Sequence, residues 1–85
     1  MIADDMRDRL MALNPVVLEI ADESEQHQGH AGWREGGQTH FRICLISPDF
    51  QGKSRIDRHR MVHAALGDIV PRIHALALEL DTPTA

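Results

Sequence analysis

Apolar residues first recur at Ile2, Met6, Leu10 and Leu13, at spacings of four, four and three. That rhythm predicts one face of a helix over Asp4–Leu13. Asp4 and Asp5 fall in its first turn, where the positive end of the helix dipole favours acids. Asn14-Pro15 ends it, because a proline disfavours helical geometry in the residue before it. The period then changes to two. Val16, Leu18 and Ile20 share a face opposite Glu19, which predicts a strand over Val16–Ala21.

From Asp22 to Gln38 the period disappears, and Gly29, Gly32, Gly36 and Gly37 interrupt a polar run. A loop longer than about 12–15 residues in a small domain is usually functional or disordered. This one holds His27, His30 and the only tryptophan, Trp33, which favours function. Alternation returns over Thr39–Ser47, with Phe41, Ile43 and Leu45 opposite His40, Arg42, Cys44 and Ile46. Pro48-Asp49 marks a turn. Ser54 with Asp57 resembles a capping box and opens a second helix. Its inner stripe is Val62, Ala65, Leu66 and Ile69, and its limit is Pro71. A third strand over Ile73–Leu80 carries His74, Leu76, Leu78 and Leu80 on one face.

The predicted order is α-β-β-α-β in a single domain over residues 1–85. The first two strands would pair antiparallel, and a helical right-handed crossover would set the second and third parallel. Both helices would cover one face of a three-stranded mixed sheet, an α+β fold whose other face stays partly open.

Composition narrows the function. A net charge of −4 argues against a general nucleic-acid coat or a membrane-surface protein, since both want excess Lys and Arg. Cys44 is the only cysteine, so neither an internal disulfide nor a C-x-x-C zinc or redox motif can form. The first residues carry acids rather than a secretory pattern, and the apolar runs fall well short of a membrane span. A cytoplasmic protein in a reducing compartment is expected.

Candidate chemistry is confined to a few side chains. His74 on its leucine-bearing strand is either a packed edge histidine or a metal ligand. His27 and His30 are either solvated loop residues or ligands on a segment able to close over a bound group. Cys44, in mid-strand, reads as a small buried hydrophobe. Lys53, Arg55, Arg58 and Arg60, with His59 and His63 nearby, are the one basic stretch. They suit a solvated helix face, a phosphate contact at a helix N-terminus, or an acidic partner. No nucleophile–base pair, phosphate-cradling glycine loop or paired carboxylates occur, so no enzyme is expected.

Several stretches occur together in order. They are Pro15-Val16-Val17-Leu18-Glu19-Ile20, Asp22-Glu23-Ser24, His27, and Thr39-His40-Phe41-Arg42-Ile43. After them come Phe50-Gln51-Gly52-Lys53-Ser54, Arg58-His59-Arg60, and Ile73-His74-Ala75-Leu76-Ala77-Leu78 with Thr82-Pro83. In this combination the chain resembles the BolA family over nearly its whole length. The resemblance implies a fold similar to the type II KH domain, although the G-x-x-G loop that clamps RNA backbone is missing here. It implies a heterodimer with a monothiol glutaredoxin and a shared 2Fe–2S cluster, to which the glutaredoxin contributes one cysteine and a bound glutathione. By that resemblance His74 is one ligand of this chain. A loop histidine is the other, His27 by its position after Asp22-Glu23-Ser24, with His30 three residues on as the alternative. Two imidazoles on one iron would make the cluster similar to a Rieske centre. Imidazole ligates only when deprotonated, so such a site would weaken on acidification, which suits cluster transfer or iron sensing. The expected role is iron–sulfur trafficking or iron homeostasis. The alternative implied by the family is a transcriptional regulator that binds DNA through the Arg-rich second helix region.

Overall fold

The computed structural model describes residues 1–24 and 39–84. Helix α1 spans Ile2–Leu10 and tightens into a 3₁₀ turn over Met11–Leu13. It begins earlier than the sequence pattern predicts, because Ile2 is itself a core residue. Its end is set by Asn14, which takes a left-handed conformation at φ 53°, one that asparagine tolerates better than most residues. The Asn14 amide donates to the Asp49 carboxylate at 2.9 Å, tying this corner to the turn after the second strand.

Strands β1 (Val17–Asp22), β2 (His40–Ile46) and β3 (Ala75–Asp81) form one sheet in the order β1-β2-β3. The first pair is antiparallel, with Leu18 opposite Leu45 and Ile20 opposite Ile43. The second is parallel, with Phe41 beside Leu76 and Ile43 beside Leu78. Helix α2 (Arg55–Leu66) makes the crossover. Ile2, Met6 and Leu10 of α1 and Val62 and Leu66 of α2 join Phe41, Ile43 and Leu45 in one buried core. Thus both helices lie on one face. The other face carries Glu19, Arg42, Cys44 and Glu79.

Helix α2 starts where the capping pattern says. Ser54 Oγ accepts from the Asp57 amide at 3.1 Å, while the Asp57 carboxylate lies 3.7 Å from Arg60. The helix ends at Leu66, ahead of the predicted limit, because Gly67 adopts φ 55°. Ile69 still reaches the core, from a 3₁₀ segment over Gly67–Arg72. Arg9 clasps this junction. It donates to the Leu66 carbonyl at 2.7 Å and to the Asp68 carboxylate, and that hydrogen bond, then the guanidinium charge, lowers the Asp68 pKa. Removing the α2 cap with Ser54→Ala should cost about 1 kcal/mol. Urea unfolding would show it as a lower midpoint with an unchanged slope.

Candidate functional site

The segment that follows β1 at Asp22–Ser24 and the one that precedes β2 at Thr39 are joined by hydrogen bonds. Ser24 is buried, 1% exposed. Its hydroxyl accepts from the Thr39 amide at 3.0 Å and the His40 amide at 3.1 Å, and donates to the Asp22 carboxylate. The Ser24 amide adds a 3.0 Å bond to the same carboxylate. The Glu23 amide bonds the His40 carbonyl at 2.8 Å, and the Glu23 carboxylate meets Arg42 at 3.2 Å. The Asp-Glu-Ser and Thr-His-Phe-Arg stretches are therefore two halves of one clasp.

His74 lies against that clasp. It sits one residue ahead of β3 rather than within it, yet its backbone is fixed, since its amide donates to the Thr39 carbonyl at 2.8 Å. Its side chain is exposed. The imidazole of His40 stands beside it, with ring centroids 5.2 Å apart at 51°. His40 is 4% exposed, and its Nδ1 is 2.8 Å from the Thr39 hydroxyl. An accessible imidazole thus rests on a buried, hydrogen-bonded one at the mouth of the loop. His27, His30 and Trp33 fall outside the described residues. Among those described, no three His, Cys, Asp or Glu side chains converge as a metal site.

Cys44 is half-buried on the open face of the sheet, not sealed in the core as a mid-strand cysteine would suggest. Partial burial raises its thiol pKa, and the flanking Glu19 and Glu79 carboxylates add to the shift. This keeps it protonated and poorly nucleophilic.

The basic stretch divides. Lys53, Arg55 and Arg60 are exposed. Arg58 turns inward. Its guanidinium lies 5.9 Å from the Phe50 ring centroid, donates to the Lys53 carbonyl at 3.1 Å and pairs with Asp81 at 3.7 Å. It is committed to holding the start of α2 against β3. The signal that sequence reading could have used is Phe50, an aromatic eight residues earlier at the end of a tight turn. No helix among the described residues is long and apolar enough to cross a membrane.

Residues 10–85 match the family described as BolA-like protein. The chain is 48% identical over 73 residues to BolA-like protein 1 of Bos taurus, covering 85% of this chain and 51% of the bovine one. It is 37% identical over 84 residues to the DNA-binding transcriptional regulator BolA of Escherichia coli K12, covering 96% of this chain and 76% of that one. Among solved structures, BolA1 from Arabidopsis thaliana superposes with a TM-score of 0.83 at 35% identity, covering 98% and 93% of the two chains. The chain spans about half the length of the mammalian relatives it matches.

Proposed function

Because the chain belongs to the BolA family, we propose that it is a non-catalytic adaptor that shares a 2Fe–2S cluster with a monothiol glutaredoxin, in iron–sulfur trafficking or iron homeostasis. The observation that carries this reading is the exposed His74 imidazole, backed by His40 at the pinned base of the loop. The donor set fits a group held between two proteins. His74 presents an exposed imidazole, and among the described residues no three His, Cys, Asp or Glu side chains converge as a metal site. The remaining ligands would be a loop histidine, His27 or His30, and the glutaredoxin cysteine with its glutathione. When bound, the cluster would supply transferable iron and sulfide and one-electron redox chemistry.

The work of this chain's own residues is positional. The Thr39 carbonyl holds the His74 main chain, and the His40 ring limits the orientations of the His74 ring. A neighbouring ring and a fixed main chain help hold an imidazole in one direction, as a ligand position requires. The Ser24 clasp keeps both loop ends at His74. His27 is three positions after Ser24, a reach of about 10 Å at full extension. His30 has about twice that reach.

The test is anaerobic reconstitution of the chain with a monothiol glutaredoxin, glutathione, iron and sulfide. A coloured heterodimer is expected, with visible circular dichroism unlike that of the glutaredoxin alone. Of His27→Ala and His30→Ala, the variant that loses this spectrum names the loop ligand. An unchanged spectrum on mixing would reject the proposal.

A second reading has two observations in its favour. The Escherichia coli relative is named a DNA-binding transcriptional regulator, and Lys53, Arg55 and Arg60 are exposed on or beside α2. Affinity for DNA would then fall steeply with salt.

A further inference from the structure

Lys53, Arg55, Arg58 and His59 face Leu78–Leu80 of β3 across a shallow groove. The groove continues along the flank of α2, where Ile56 lies among Arg55, His59, Arg60 and His63. Ile56 is 63% exposed, an apolar side chain set among charged ones. β3 is the terminal strand of the sheet, so among the described residues nothing pairs with its outer edge. An open edge presents a row of backbone N–H and C=O groups able to accept another strand.

We infer that this groove receives an extended segment of a second protein, with acidic side chains interspersed among aliphatic ones, which adds to β3 as a fourth strand. Main-chain pairing to an edge would provide affinity, and side-chain pockets beside it would provide specificity. Side chains projecting to the helix side of the added strand would meet Ile56 and a cationic rim. An apolar centre ringed by charge is the anatomy of a protein interface. With Arg58 held by Asp81 and Arg60 beside Asp57, Lys53 and Arg55 carry the charge that selects an acidic occupant. The groove's single acid, Glu79, lies on the open face of the sheet within 3.9 Å of Arg42.

Single-stranded nucleic acid fits less well. Its grooves combine a long cationic track with aromatic platforms for the bases. Here the described aromatic side chains, Phe41 and Phe50, are buried in the core, and Arg58 is bound to Asp81. The groove meets β3 at Leu78–Leu80. His74 lies four to six residues away along the chain, about 13–20 Å at strand spacing. A partner at His74 and a segment in the groove can therefore be held together, as an adaptor requires.

The test uses the full chain, isotopically labelled for NMR. The probe is a soluble peptide of alternating glutamate and valine, compared with a lysine–valine counterpart and with oligothymidylate. Saturable shifts at Leu78–Leu80, with slowed amide exchange along β3, are expected for the acidic peptide. Affinity should fall at least about tenfold in Arg55→Glu and in Ile56→Asp, about 1.4 kcal/mol or more. Both positions are exposed, and preserved spectral dispersion would show that the variants fold. Equal binding of the basic peptide, tighter binding of oligothymidylate through the same residues, or no shifts on β3 would overturn the inference.

Discussion

His74→Ala is expected to abolish the spectrum of the mixed complex while leaving the protein folded. The side chain is exposed, so its removal creates no cavity. It gives up one ring contact to His40, which at an accessible site is worth about 0.5–1 kcal/mol. The midpoint of thermal unfolding should therefore fall by no more than about 4–8 °C. Loss of the visible circular dichroism at an intact far-ultraviolet signature then isolates a ligand role from a folding role. His74→Cys sharpens the point. A thiolate can replace imidazole on iron, but it lowers the reduction potential of such a centre. This variant should keep a cluster with a changed spectrum and a more negative potential. If His74→Ala retains the full wild-type spectrum, His74 is not a ligand, and the cluster reading loses its support.

The topology was readable because periodicity changes where the elements change. Ile2, Met6 and Leu10 mark a helix, and Phe41, Ile43 and Leu45 a strand. A crossover through α2 leaves one parallel arrangement for β2 and β3. Boundaries were less readable, for local reasons. α2 gives way at Gly67, whose positive φ breaks the helical run, although Ile69 continues the apolar stripe from the next turn. His74 looks like part of a strand by alternation. Yet the Thr39 carbonyl takes both the His74 and Ala75 amides, at 2.8 and 3.1 Å, so regular pairing begins only after it.

The site was legible by a different route. Nothing in the alternation around His74 separates a ligand from an edge histidine, and only the family resemblance singled it out. The clasp beneath it was not visible at all. Ser24 and Thr39 are 15 residues apart, and a serine hydroxyl that accepts two distant amides leaves no periodic trace. The only trace is that Asp22-Glu23-Ser24 and Thr39-His40 occur together. Arg58 was misleading in the opposite sense. By composition it belongs with Lys53, Arg55 and Arg60, but the Phe50 ring and the Asp81 carboxylate draw it inward. A basic run on a helix is divided by what lies under it, and that information is tertiary.

Ser24→Ala should be the most damaging single change at the base of the loop. The methyl group would fill most of the space but accept nothing, so the Thr39 and His40 amides would each lose the hydrogen bond to the Ser24 hydroxyl. Removing the acceptor of a buried donor costs about 1–3 kcal/mol, and because the two amides share one acceptor a combined loss on the order of 2–4 kcal/mol is expected. A domain of this size has only about 5–10 kcal/mol of stability. At about 4–8 °C per kcal/mol, the thermal midpoint should drop by roughly 8–32 °C. Amide exchange should accelerate first at Thr39, His40 and His74 and only later at Ile43 and Leu45, because the core does not depend on the clasp. Ser24→Thr keeps the hydroxyl and should recover most of the loss. The same variants bear on function. If the clasp holds the loop ligand near His74, Ser24→Ala should weaken cluster sharing at temperatures where the protein is still folded, and Ser24→Thr should restore it. A change of less than about 0.5 kcal/mol on Ser24→Ala, the range of an ordinary surface substitution, would mean that the clasp does not hold the two ends of the loop together.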